Sequence, residues 1–277
     1  MGTSTSSSGP GPGVSFDPPW LDQIGGGESD SPATPTDGAK PDGTAVPVAA
    51  QGSAPPRRFV GARRELKRFA NTGDRHALSR AAGHYSKSGM GGAKNVAARM
   101  RMSTRSATGL VGLLQAARDG TNPEVNRWVS DLSAGSPNVQ DVIHEIIRQV
   151  TSGGGSVDEE ACNDSMAQAM AELLENNPDV ELLSMDNADI WVLVELFLSN
   201  EACSRMHLDI GQLFESSNLP PRQAVQRVNE MRDFLKSEIG AQLETLRAAQ
   251  PDPTPTELEK LMRDALKLTF TVYEGEV

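Results

Sequence analysis

Residues 190–198 read Ile-Trp-Val-Leu-Val-Glu-Leu-Phe-Leu, and this stretch decides the fold. Its apolar residues fall on nearly every side of an α-helix. A helix of that kind is buried, because any exposed side would place apolar surface in water. We therefore expect 190–198 to form a central helix with other helices packed around it.

Amphipathic helices are predicted on either side of this centre. Apolar residues recur at steps of three and four in 59–69, 139–150, 166–174 and 225–246, which is the pattern of a helix with one buried face. Turn residues separate further helices over 75–87, 93–102, 104–118 and 124–132. Alternation at period two does not persist anywhere. The predicted fold class is all-α, a multi-helix bundle that includes Val272 and Tyr273.

Capping residues and prolines mark several helix starts. In a capping box, the side chains of the N-cap residue and of the third helical residue each accept a hydrogen bond from the other's backbone N–H. Ser156 and Glu159 fit this pattern, and we predict a second box at Thr256 and Glu259. Pro220-Pro221 is predicted to open the longest helix, since proline fits the first helical turn.

The first 56 residues differ from the rest in composition. Of these, 33 are Gly, Pro, Ser or Thr, and they include 10 of the 18 prolines. Such a segment cannot bury enough apolar surface to offset the entropy lost on ordering. We predict a disordered tail over 1–56. The glycine-rich break near residue 153 then suggests two lobes in the helical part, 57–152 and 153–277.

Charge is distributed unevenly along the chain, whose formal net charge is −11. Residues 57–105 hold thirteen Lys or Arg against two acidic residues, whereas the tail and the remainder are both acidic. The first lobe is therefore predicted to be basic and the second acidic. The residues predicted to contact an anion or a partner are Arg57, Arg58, Arg63, Arg64, Lys67, Arg68, Arg99 and Arg101.

The basic segment has three possible uses. It can neutralise the phosphates of a nucleic acid, dock against the acidic part of the same chain, or bind an acidic partner protein. Aromatic residues for base stacking are sparse, and Phe59 and Phe69 fit the core better than a nucleic-acid interface. Internal or protein docking is favoured, and binding of nucleic acid stays open as the alternative.

The sequence lacks the short motifs of serine hydrolases, metalloproteases and P-loop NTPases. Its four histidines are not spaced as metal ligands, and Cys162 and Cys203 are isolated, so we expect both thiols to be reduced in a helical core. No run approaches the roughly 20 apolar residues of a membrane span, and no signal peptide is visible. We predict a cytoplasmic protein that is not an enzyme and holds no cofactor or metal.

The tail carries two features of its own. An apolar island at 16–22 is predicted to dock a partner through Phe16, Pro19, Trp20, Leu21 and Asp22. Gly2 is small enough for Met1 to be removed, which would leave a glycine α-amine with a pKa of about 7.7–8.0. Such an amine is a reasonable nucleophile. From these residues alone, an inert terminus is the simpler interpretation.

The order of several short strings resembles a known family, the QatB component of bacterial Qat anti-phage systems. The strings are Met1-Gly2-Thr3-Ser4, Pro19-Trp20-Leu21-Asp22, the arginine-rich 57–69, Gly83-His84-Tyr85, Gly91-Gly92-Ala93, Ala97-Ala98-Arg99-Met100 and Gly155-Ser156-Val157-Asp158-Glu159. The resemblance is firmest over 1–22 and 57–115. Each string is weak, and their order carries the likeness.

The resemblance implies a non-enzymatic protein that works with a QueC-like enzyme, a P-loop ATPase and a TatD-like nuclease. It also implies that the QueC-like enzyme joins a deazaguanine group to an N-terminal glycine, and Gly2 is the matching position. We therefore expect a substrate and adaptor in anti-phage defence. The alternative is a nucleic-acid-binding accessory protein that uses 57–105.

Overall fold

A computed structural model describes residues 57–151, 155–212, 214, 219–250 and 253–277. Its α-helices, in chain order, are α1 (Val60–Thr72), α2 (Arg75–His84), α3 (Ala93–Arg99), α4 (Arg101–Asp119), α5 (Pro123–Ala134), α6 (Val139–Val150), α7 (Val157–Asn176), α8 (Asn187–Ile210), α9 (Pro221–Ala249) and α10 (Pro255–Glu274), with a π-helix at Tyr85–Gly89 between α2 and α3. No strand occurs in the ranges just given. The predicted all-α class is confirmed. The tail predicted over 1–56 lies outside the described residues.

The turn residues that were predicted to separate helices do end α1 and α4. Gly73 ends α1 and Gly120 ends α4, with φ of 71° and 63°, in the left-handed conformation that glycine adopts without a steric penalty. Asp74 then caps α2 by accepting a hydrogen bond from the backbone N–H of His76 at 3.0 Å. The helix breaks near these glycines were therefore correctly predicted from residue type.

One of the two predicted capping boxes is confirmed and the other is wrong. Ser156 and Glu159 form the box at the start of α7. At the start of α10 the box consists of Thr254 and Glu257 instead of the predicted Thr256 and Glu259. Pro255 explains the difference, because its fixed φ suits the first helical position and makes the preceding threonine the N-cap.

Two predicted helix boundaries also differ from the structure. The segment predicted as one helix over 75–87 leaves the α-form at His84 and continues as the π-helix. The break expected at Ser103 falls at Met100, so Arg101 becomes the first residue of α4. Turn residues locate a break only within a few positions, and the neighbouring helices determine which one is used.

The central helix predicted from 190–198 is α8. Its buried residues fall on all sides and include Ile190, Leu193, Val194 and Phe197. It packs against α4, α7 and α9, and its C-terminal end reaches α1. Neighbours on several sides leave little of α8 in contact with water, as its composition requires.

The residues from Phe59 to Val277 form one compact unit. The last helix, α10, packs against α2, α3, α4 and α9. It therefore connects the beginning of the unit with its end. The predicted division into lobes at residue 152 stays a prediction.

Candidate functional site

The predicted site residues of the tail lie outside the described residues, and their roles stay predictions; they are Gly2, Phe16, Pro19, Trp20, Leu21 and Asp22. Arg57 and Arg58 immediately precede the compact unit. Arg57 is exposed and Arg58 is half-buried. The other predicted basic residues lie on α1, on α3 and at the start of α4.

The outer face of α1 is basic. It carries four exposed side chains, Arg63, Arg64, Lys67 and Arg68. Arg64 Nε lies 3.1 Å from Glu65 Oε1. Arg68 Nε lies 3.6 Å from Asp74 Oδ2. Exposed pairs of this kind contribute little to stability, so these cations could exchange their partners for an external anion.

Glu65 belongs to α1, and its side chain contacts Arg80 of α2. Its carboxylate accepts hydrogen bonds from Arg64 Nε and Arg80 Nε, each at 3.1 Å. Burial by itself raises the pKa of Glu65, but the hydrogen bonds and charges of Arg80 and Arg64 outweigh burial and hold the pKa below its usual value. Part of the positive charge of the basic segment is therefore neutralised within that segment.

Asp209, at the end of α8, gathers residues from three other elements. Its Oδ2 atom accepts a hydrogen bond from the Tyr85 hydroxyl at 2.8 Å and from Arg99 Nη1 at 2.6 Å. Arg63 Nη2 donates to the backbone oxygen of Asp209 at 3.1 Å. We call these four residues the Asp209 centre. It connects α1, the π-helix and α3 to α8.

The contacts of the Asp209 centre stabilise the fold. The Arg99 side chain is only 6% exposed, so its guanidinium is used within the fold. Burial, and then the nearby charge of Asp209, raise the pKa of Tyr85 well above its usual value. Tyr85 therefore stays protonated at neutral pH and acts as a hydrogen-bond donor.

Aromatic packing holds this centre at the beginning of the compact unit. The rings of Phe59 and Tyr85 stack with centroids 5.7 Å apart, and Tyr85 also contacts Phe270 of α10. Gly89 lets Phe59 approach closely, since a Cβ at that position would overlap the Phe59 ring. The π-helix thus places Tyr85 between the first residue of the unit and its last helix.

A second ionic cluster lies between α7 and α8. Arg205 Nε donates to Glu201 Oε1 at 2.6 Å, and another of its nitrogens donates to Asp158 Oδ1. The side chains of Glu201 and Arg205 are 0% and 3% exposed. Burial lowers the pKa of Arg205, but Glu201 and Asp158 outweigh burial and raise it. The cluster attaches the first turn of α7 to the C-terminal half of α8.

A groove of about 350 Å³ opens between α4, the end of α6 and the first turns of α7. It is lined by Arg101, Met102, Arg105, Ser106, Val150, Thr151, Glu159 and Cys162. Both arginines are exposed, whereas Cys162 is buried. Of the predicted basic residues, Arg101 is the one that the structure places in this groove, and Arg105 joins it from the next turn.

The thiols are not poised for nucleophilic chemistry. Both cysteines are free and buried. Burial raises the pKa of Cys162 to about 11 and that of Cys203 to about 12. Since the thiolate is the reactive form, neither thiol is activated at neutral pH.

Among the residues that the structure describes, no group of three or more His, Cys, Asp or Glu is placed to hold a metal ion. None of their helices is both long enough and apolar enough to cross a membrane.

Sequence reasoning missed most of the ionic contacts inside the fold. Glu201 and Arg205 offered a signal, because opposite charges four residues apart lie on one side of a helix. Asp209 offered none, since its partner Arg99 is 110 residues away in the chain. Arg105 is the last residue of the basic segment 57–105, and nothing in its spacing marks it as a contact residue.

Comparison with protein families identifies a relationship. A family model described as Qat anti-phage system associated protein QatB matches residues 91–273. No curated protein and no solved structure matches the chain. The matched residues include the groove and Asp209, whereas α1 and its basic outer face precede them.

Proposed function

We propose that this chain, which belongs to the QatB family, acts as a non-enzymatic substrate and adaptor. Membership gives it a role in a Qat anti-phage defence system. Within that system, we propose that a QueC-like enzyme modifies Gly2 with a deazaguanine group. A P-loop ATPase and a TatD-like nuclease are the other proposed partners, and we place the protein in the cytoplasm.

The position of Phe59 carries this proposal. Phe59 is 6% exposed and stacks on Tyr85, so the compact unit begins firmly at this residue. Gly2 lies nearly 60 residues earlier. If those residues form the flexible chain that their composition predicts, the typical distance between the two ends is about 40 Å. Such a tether is long enough to bring the α-amine of Gly2 into the active site of another protein.

The proposed modification is an acyl transfer. A QueC-like enzyme would use ATP to activate the carboxylate of a deazaguanine. The unprotonated α-amine of Gly2 would then attack the activated carbonyl carbon and form an amide. The activating group would leave, and the nitrogen would lose one proton. The chain itself supplies the amine, and the island at 16–22 would raise the local concentration of the amine near the enzyme.

Intact-mass spectrometry tests this proposal. The chain would be co-expressed with its QueC-like partner, and we expect Met1 to be lost and one deazaguanine-sized adduct to be present. Gly2→Leu should abolish the adduct, whereas the control Gly9→Ala should keep it. Trp20→Ala should reduce the modified fraction if the island docks the enzyme. An unmodified wild-type terminus in cells that contain the active partner would contradict the proposal.

A second candidate function, binding of nucleic acid, is favoured by the exposed basic face of α1. Binding through this face should weaken steeply with salt, because phosphate contacts release counterions. Lys67→Glu with Arg68→Glu should remove the binding in a gel-retardation assay. Arg63 and Arg64 are poorer choices for reversal, because Arg63 also contacts Asp209 and Arg64 also contacts Glu65. Wild-type protein that fails to retard DNA or RNA at low salt would exclude this function.

A further inference from the structure

We propose that the groove between α4, α6 and α7 docks an acidic segment of a partner protein, with an apolar side chain of that segment inside the groove. The proposal concerns the compact unit alone and does not depend on modification of Gly2. Its basis is the juxtaposition of two exposed arginines with an apolar floor.

The arginines define the charge that the groove accepts. Arg101 and Arg105 lie one turn apart on α4, so they project from the same side of the helix. Both are exposed, and the Arg105 side chain is 64% exposed. Its nearest carboxylate, Glu259, lies 3.8 Å away, which is a loose contact that a stronger acceptor could replace. Guanidinium groups bind carboxylates through paired hydrogen bonds.

The helix that carries these arginines does little to offset their charge. The first turn of α4 contains no acidic residue, and its N-cap residue, Met100, makes no side-chain capping bond. Cations at a helix N-terminus are repelled by the partial positive charge there. An anionic segment held by Arg101 and Arg105 would reduce that repulsion.

The opposite wall contains one carboxylate, Glu159. Its Oε2 atom accepts a hydrogen bond from the backbone N–H of Ser156 at 3.2 Å, as part of the capping box of α7. The Glu159 carboxylate is thus partly satisfied by its own helix. Arg101 and Arg105 are exposed at the rim of the groove, whereas Glu159 is half-buried, so an incoming segment meets the two arginines first.

The floor of the groove favours an apolar side chain. It is formed by Met102, Val150 and Cys162, of which the first two are half-buried and the third is buried. The thiol of Cys162 stays neutral, because burial raises its pKa to about 11. A volume of about 350 Å³ accommodates one or two side chains of a docked segment. Methionine adapts well to different partners because its side chain is flexible and polarisable.

A peptide titration followed by methyl NMR of the full chain tests this site. The probe is a short peptide of Glu and Asp around a central Leu-Phe pair. Two copies serve as comparisons, one with Gln and Asn in place of the acids and one with Ser in place of Leu and Phe. We expect the acidic peptide to shift the Met102 and Val150 methyl signals. Each of the two comparison peptides should bind more weakly by about tenfold or more.

Charge-reversed variants separate the groove from general electrostatics. Arg101→Glu with Arg105→Glu should weaken binding of the acidic peptide by about tenfold or more. Arg75→Glu with Lys267→Glu removes the same net charge from exposed positions outside the groove and should leave binding unchanged. Equal loss in both variants would overturn the proposal, because attraction would then depend on net charge alone.

Two other results would also overturn it. One is the absence of any shift at Met102 and Val150 with the acidic peptide. The other is a larger shift of the same methyl groups by an oligothymidylate, which would assign the groove to nucleic acid. Methyl signals elsewhere in the variants should match the wild type, which shows that the fold is intact.

Discussion

Arg205 shows how far the stability of the fold depends on one buried side chain. It lies between Glu201, which is fully buried, and Asp158 on the neighbouring helix. The carboxylate of Glu201 has lost its contact with water, and Arg205 replaces that contact. A buried charge without its partner is costly, whereas an apolar pair in the same space is often tolerated.

A double-mutant series would measure this dependence. We expect Arg205→Met to lower the free energy of unfolding by about 3–5 kcal/mol, because Glu201 would remain buried without a counter-charge. The double variant Arg205→Met/Glu201→Leu should recover most of that loss. Chemical denaturation followed by circular dichroism gives both values. A single variant as stable as the wild type would show that Arg205 is not the essential partner of Glu201.

A second prediction for a single residue concerns Glu65, whose ionisation makes the stability of the fold depend on pH. Its pKa in the folded chain lies below its unfolded value of about 4.3, so the carboxylate stabilises the fold above that value. This contribution is lost as the pH falls through the folded pKa. Glu65→Gln should therefore be destabilising at pH 7 and lose that effect in acid, as measured by urea denaturation at both pH values.

A matched control separates this effect from general acid destabilisation. Glu175→Gln changes an exposed residue on α7 and should be nearly neutral at both pH values. If Glu65→Gln were equally destabilising in acid and at neutral pH, its cost would reflect packing instead of ionisation.

At the scale of elements, the start of α10 shows how two competing signals are resolved. Thr254 and Thr256 are each followed three residues later by glutamate. Pro255 favours the first pair, because it occupies the first helical position. Glu259, from the rejected pair, lies near Arg105 of α4 instead. Because proline fits the first helical position, Pro255 identifies Thr254 as the N-cap residue from the sequence alone.

Two threonine variants test this assignment directly. Thr254→Ala should lower the free energy of unfolding by about 1 kcal/mol, because the cap of α10 is lost. Thr256→Ala should cost nothing, because Thr256 is an exposed residue within the helix. Thermal or chemical unfolding of the two variants checks the difference. The reverse ranking would restore the box predicted from the sequence.

At the scale of the whole molecule, the packing of α10 joins the end of the compact unit to its beginning. This helix comes last in the chain, but it contacts α2, α3 and α4 from the first half. A carbonyl of α10 lies so close to Gly83 of α2 that a Cβ on Gly83 would overlap it. Contacts of this kind couple distant parts of the chain into one folding unit.

Calorimetry can test this continuity. We expect residues 57–277, expressed without the tail, to unfold in a single transition at nearly the temperature of the full chain. The ratio of calorimetric to van't Hoff enthalpy should be close to one. Two transitions would instead support the lobes predicted at 57–152 and 153–277. A large loss of stability would show that the tail contributes to the fold.

Local patterns in the sequence determined the helical class, most helix ends and the central place of 190–198. These features depend on neighbours within a few residues, such as the apolar steps of α9 or the glycine after α1. Short strings in the sequence also indicated the family. Most of these strings lie in the first 115 residues, whereas the family model matches residues 91–273.

Only the tertiary structure decided which charges remain available. Arg99 and Arg101 are two residues apart, yet the first is buried against Asp209 and the second lines an open groove. The partners that make this difference lie far away in the chain, on α7 and α8. Periodicity describes which side of one helix a residue occupies, and it carries no information about which other helix meets that side.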